Sequence, residues 1–166
     1  LGDVPKHMAG IRQACAVEPA ARKTHMHLLQ AEIAAGIHAP SQERHRCRLA
    51  KPSGAYHIQW TLRGLRMFVL MLKLTFEGDR EAGLRAYRQA LERHHSRATV
   101  TSVHARLVTL PGKNEICASQ ALGPALACDS RRLASAIERE VAPMAGVMLP
   151  MMQVMITSCR RLAMLW

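Results

Sequence analysis

Val141-Ala142-Pro143-Met144-Ala145-Gly146-Val147-Met148-Leu149-Pro150-Met151-Met152-Gln153-Val154-Met155-Ile156-Thr157-Ser158-Cys159 is a run of 19 residues without a charge. Within it Met144, Met148, Met151 and Met155 recur at steps of four, three and four, the spacing of one face of an α-helix. The stripe extends back through Ile137 and Val141 and forward to Leu162, so one apolar seam runs along most of the C-terminal segment. Such a seam must be covered by the protein's own core, a partner's helix, a bilayer or a soft metal ion.

The rest of the composition agrees with helices. Hydrophobic residues make up 49% of the 166 positions but aromatics only 4%, so the core is built from Leu, Ala, Val, Ile and Met, not from the β-branched and aromatic residues that sheets favour. The length fits a single domain over residues 1–166, large enough to fold without disulfide or metal staples. The expected fold is all-α, a compact bundle of five to seven helices packed around residues 56–76 and 137–165.

Helix signals recur along the chain. Pro19 suits a first helical position, the run 20–35 carries Leu28, Leu29 and Ile33 on one side, and Gly36 stops it. Ser41 can cap a short basic helix that ends at Pro52. Residues 56–76 predict a buried helix, although 67–76 in isolation would also suit a strand. Asp79 predicts the cap of a helix running from Arg80 to about His95. Over 98–110 apolar and polar residues alternate, and a short strand competes there with a helix. Pro111-Gly112-Lys113-Asn114 reads as a turn, and Pro143 and Pro150 should kink or divide the last helix.

The stretch Gly78-Asp79-Arg80-Glu81-Ala82-Gly83-Leu84-Arg85-Ala86-Tyr87-Arg88-Gln89-Ala90-Leu91-Glu92 resembles the turn and second helix of a tetratricopeptide repeat, within residues 64–97. Gly83, Tyr87 and Ala90 fall where that family places a small residue, an aromatic and a small residue. Gly83 stands where the family usually has Ala, and His95 where it commonly has Pro. The resemblance covers about one repeat and implies a stacked helical hairpin that binds protein partners.

The formal net charge is +11, with Arg supplying most of the positive side. That balance directs expectation toward polyanions: nucleic acid or an acidic protein surface. The densest basic cluster is Arg44, Arg46, Arg48 and Lys51, with Tyr56 and Trp60 close enough in sequence to stack on bases. Five cysteines without a C-x-x-C pair argue against a disulfide scaffold and for an intracellular, reducing compartment. The opening residues lack the basic start and apolar run of a secretory signal.

Catalytic chemistry finds no support: there is no Gly-x-Ser-x-Gly, no complete phosphate loop and no paired carboxylates, so the question of enzymatic activity stays open. Glu92 and His95 make a single Glu-x-x-His, half of what a di-metal bundle requires, and no cofactor is implied. The leading expectation is a basic, non-catalytic interaction protein, a subunit of a nucleic-acid-containing complex. In that reading Met144, Met148, Met151 and Met155 serve a helical protein partner or the core. The rival is a helical ligand- or metal-handling protein whose Met and His residues bind Cu(I) or an apolar ligand. The two prolines and several weakly apolar residues count against a membrane span.

Overall fold

The computed structural model describes residues 4–17, 24–38, 49–51, 53–108, 110 and 130–164. Among them the chain is helical throughout: α1 Val4–Val17, α2 His25–Ala34, α3 Gly54–Phe76, α4 Ala82–Ala90, a single 3₁₀ turn at Glu92–His94, α5 Arg97–Leu107 and α6 Ser130–Met164. The all-α expectation therefore holds. The alternation at 98–110 does not make a strand. Ser96 accepts a hydrogen bond from the Thr99 N–H and starts α5, and among the residues of that helix none is fully buried, so its alternation answers to no sheet.

Local chemistry sets the helix ends. Thr24 caps α2 by accepting from the His27 N–H at 3.2 Å. Gly36, at φ 67°, closes that helix. Its N–H donates to Ile33 and the Ile37 N–H reaches back to Glu32, the double bond pattern of a left-handed glycine stop. Gly78, at φ 86°, repeats the device at the end of α3, with its N–H on Thr75 and the Asp79 N–H on Leu74. Asp79 does not cap the helix as expected: its Oδ1 accepts from the Glu81 N–H, and α4 begins two residues later than Arg80, at Ala82. The expected short basic helix from Ser41 and the turn at 111–114 lie outside the described residues. Pro143 and Pro150 both sit inside α6, which runs on as one helix from Ser130 to Met164.

The chain divides into two compact units, residues 1–64 with 151–166, and residues 65–150. In the first, Leu28, Leu29, Ala55, Leu62, Met152 and Ile156 are buried. In the second, Leu70 of α3 packs with Ala86 and Ala90 of α4, and Met67, Met71, Leu74, Leu91 and Leu149 close around them; Phe76 packs with Val141 of α6. Burial of these aliphatic side chains stabilises by about 1.5–3 kcal/mol each for the larger ones.

The tetratricopeptide reading needs correction here. Gly83, Tyr87 and Ala90 are indeed buried, but the face they form serves other neighbours: Ala86 and Ala90 meet Leu70, and a Cβ at Gly83 would lie 2.7 Å from Leu110 and 3.6 Å from Leu107. A small-aromatic-small face is what any closely packed helix hairpin requires, so the motif reports packing and not that repeat family.

The uncharged run also packs differently from its methionine stripe. The buried positions of α6 are Val141, Ala145, Met152 and Ile156. Met148 and Met155 are half-buried at the edge of that face, and Met144 and Met151 are exposed.

Candidate functional site

The first three turns of α3 place Tyr56, His57, Trp60 and Arg63 one after another at helical spacing. They can do so because α3 starts at a fixed point. Glu32, at 2% exposure, accepts the Gly54 N–H at 2.6 Å and the Ala55 N–H at 3.1 Å, satisfying donors that a helix N-terminus otherwise leaves open. His38 Nε2 donates to the same carboxylate at 3.1 Å while its Nδ1 accepts from the Ala50 N–H at 3.3 Å, an arrangement that fits the Nε2–H tautomer. Burial alone would raise the Glu32 pKa, but the hydrogen bonds from His38, Ala55 and Gly54 outweigh it and hold the carboxyl below its usual range.

Helix α1 brings His7 to this face. Gly10 allows the approach: a Cβ there would lie 2.2 Å from the His57 ring. The Nδ1 atoms of His7 and His57 are 2.9 Å apart, so one ring carries the proton between them and the other accepts it. The His7 ring lies parallel to the Trp60 indole at 6.2 Å between centroids and edge-on to Tyr56 at 6.1 Å. The Arg63 guanidinium stands 5.3 Å from the Trp60 ring, and the Lys51 ammonium 5.5 Å from that of Tyr56. His57 and Arg63 are buried, Tyr56 and Trp60 half-buried, and Lys51 exposed.

Flat aromatic faces flanked by imidazole and guanidinium donors suit a ligand that has both C–H faces and hydroxyl or anionic oxygens. A sugar ring is such a ligand.

A second polar group lies in the 65–150 unit. Tyr87, 1% exposed, hydrogen-bonds through its hydroxyl to His95 Nδ1 at 2.7 Å, and the His104 ring meets it edge-on at 5.7 Å. His104 also pairs with Glu92 at 3.2 Å. Burial and the Glu92 charge both raise the Tyr87 pKa. An open cleft of about 590 Å³ beside them is lined by Arg88, Glu92, Arg93, His95, Arg97 and Thr101 among others. Arg66 has its pKa lowered, first by burial and then by the like charge of Arg93.

Of the residues singled out from sequence, Arg44, Arg46 and Arg48 lie outside the described residues, while Lys51 joins the aromatic cluster through Tyr56. The pairing of Tyr56 and Trp60 with basic neighbours was legible; the contributions of His7, His57, Glu32 and His38 were not, because nothing in their local sequence reports contacts across 6 to 50 positions. Glu92 and His95 do not converge on a metal: Glu92 meets His104 and His95 meets Tyr87. Among the described residues no group of three His, Cys, Asp or Glu side chains could hold a metal ion.

The model of the glycolipid transfer protein family matches residues 2–121, well over half of the chain. No curated protein and no solved structure matches it. The match overturns the tetratricopeptide resemblance and the nucleic-acid reading, together with the acidic-protein and helical-partner expectations attached to it, and turns the apolar-ligand rival into the better one. The physical reason lies in what net charge can report. A surplus of +11 gives a general attraction to anions but names no partner. Several of the arginines are also engaged within the fold, Arg85 with Asp79, Arg88 with Glu92 and Arg63 with Trp60.

Proposed function

This chain belongs to the glycolipid transfer protein family, and we propose from that premise that it takes up a lipid with a sugar headgroup from one membrane and releases it to another. The sugar stacks on the half-buried Trp60, with Arg63, His7 and Lys51 supplying donors to its oxygens. The observation that carries this reading is the Trp60 cluster: a ring with a guanidinium at 5.3 Å and an imidazole parallel to it at 6.2 Å, on a helix whose start is fixed by a buried carboxylate. Such a constellation is preorganised, so binding orders few side chains.

The test is transfer of a fluorescent monoglycosylceramide from donor to acceptor vesicles. Wild-type protein accelerates transfer. Trp60→Ala slows it by about two- to thirteenfold, the equivalent of the roughly 0.5–1.5 kcal/mol that an aromatic stacking contact contributes, and Trp60→Phe falls between. Transfer at the wild-type rate by Trp60→Ala would remove the headgroup from this cluster, and no acceleration by wild type would end the carrier reading itself.

A further inference from the structure

The 65–150 unit holds a concave site that the carrier reading leaves unused. The chain from the end of α4 through the 3₁₀ turn into α5 lines the open cleft of about 590 Å³, a size ordinary for small-molecule sites. Three guanidinium groups face it, those of Arg88, Arg93 and Arg97. Glu92 is the sole carboxylate among the described residues that line it, and it is already engaged, by His104 at 3.2 Å and Arg88 at 3.8 Å. Arg93 and Arg97 make no ion pair among the described residues. The Arg93 Nε donates to the His94 ring at 3.1 Å, which orients the guanidinium without neutralising it.

The positive surplus is not confined to solvent-facing side chains. Arg66 of α3 belongs to the same unit, and its Nε is shut off from solvent without an acceptor among the described residues. Burial lowers its pKa, and the like charge of Arg93 lowers it further, so these two cations stand close enough to repel. A fold that sets a half-buried guanidinium against another loses stability unless an anion offsets the repulsion. The wall of the cleft is fixed by local bonds: the Tyr87 hydroxyl pairs with His95 Nδ1 at 2.7 Å, and Ser96 starts α5 by accepting the Thr99 N–H. The first turn of α5 carries Arg97 and brings the positive end of its helix dipole to the cleft.

Forked guanidinium donors pair two by two with terminal oxygens. The two oxygens of a carboxylate serve one such fork, whereas the three of a phosphomonoester serve two and carry the charge to match both. We propose that the cleft between α4 and α5 binds a phosphomonoester through Arg93 and Arg97, with Arg88 as the third cation. The phosphoryl group is carried by a small soluble molecule or by a lipid headgroup. This site stands apart from the sugar-binding reading of the Trp60 cluster and does not rest on it.

The experiment is calorimetric titration of the full chain with inorganic phosphate and with glycerol 3-phosphate at low salt, for wild type, Arg93→Ala/Arg97→Ala and Arg80→Ala/Arg85→Ala. The two double variants lose the same charge, and neither Arg80 nor Arg85 lines the cleft. Far-UV spectra and thermal melts verify folding; Arg97→Ala alone, at an exposed position, serves if the cleft variant does not fold. Wild type binds both probes saturably. The cleft variant loses about tenfold or more in affinity, and the control variant stays within about twofold of wild type. No saturable binding by wild type would overturn the site, and so would an equal loss in both double variants. Binding lost in Trp60→Ala but kept in Arg93→Ala/Arg97→Ala would overturn it as well. Monomeric dihexanoyl phosphatidic acid separates the two sources: tighter binding than glycerol 3-phosphate assigns a lipid headgroup, and equal binding a soluble ester. Either result supports the site when the cleft variant abolishes it.

Discussion

Glu32 of α2 and Gly54 of α3 are joined by a 2.6 Å hydrogen bond from the Gly54 N–H to the Glu32 carboxylate, and that contact decides where the site helix begins. The same carboxylate holds Ala55 and His38. Glu32→Gln keeps the shape but replaces one acceptor oxygen with a donor, so one of three donors loses its partner. We expect a loss of about 2–3 kcal/mol in urea unfolding.

The pH dependence has a definite sign. The Glu32 pKa is lower folded than unfolded, so its stabilising share is complete above the ordinary glutamate range and disappears as pH falls through the folded value. Unfolding midpoints measured from about pH 7 down through pH 4 and below should therefore fall more steeply in wild type than in Glu32→Gln. Parallel curves would show that the carboxylate carries no such linkage.

Two glycines make opposite predictions. A Cβ at Gly10 would strike the His57 ring at 2.2 Å, so Gly10→Ala should destabilise by about 1–3 kcal/mol and reduce glycolipid binding by displacing His7 and His57. Gly64, inside α3, has nothing within 4 Å of the same added atom. Gly64→Ala should stabilise by about 0.5–1 kcal/mol, since alanine is the better helix former. Thermal melts of the two variants side by side check both signs.

Arg63 is planar where it meets the Trp60 ring, and lysine cannot reproduce that contact. Arg63→Lys keeps the charge and should still weaken glycolipid binding several-fold, by about 1 kcal/mol. Quenching of Trp60 fluorescence by a glycolipid, read in a Trp166→Phe background, measures it directly. An unchanged affinity would make the guanidinium a matter of charge alone.

Tyr87 is buried against His95, and its pKa is raised by burial and by Glu92. Its neutral form is the one the fold stabilises. The contribution is present below the ordinary tyrosine range and is lost as pH rises through the higher folded value, from about pH 10 upward. Tyrosinate absorbance in a Tyr56→Phe background should show this late titration, and Tyr87→Phe should cost about 1–2 kcal/mol at neutral pH by losing the hydroxyl bond.

What the sequence made legible follows a physical division. Helices with strong local signals were readable: α3 from its apolar length, the end of α2 from Gly36, and α6 from its uncharged run. Helix α1 passed unread because its apolar positions are few and its role rests on Gly10 and His7 meeting α3, a contact 50 residues away in the chain. For the methionine stripe, helical periodicity tells that a face exists, but on a helix with a wide apolar arc it does not tell which part of the arc is covered. The ligand class was masked by charge, which speaks for every anion at once. Trp60 and Tyr56 were in view as platforms for bases, and aromatic ring faces are chemically alike toward bases and sugars.

Helix α3 begins against Glu32, and this fixes the phase of its first turns as a key fixes a shaft. One residue inserted between Ala55 and Trp60 would turn everything on one side of it by about 100° relative to the other. Trp60 and Arg63 would then swing away from His7. The chain can vary its ligand by exchanging side chains along the first turns of α3, but it cannot shift their register without unsetting the site.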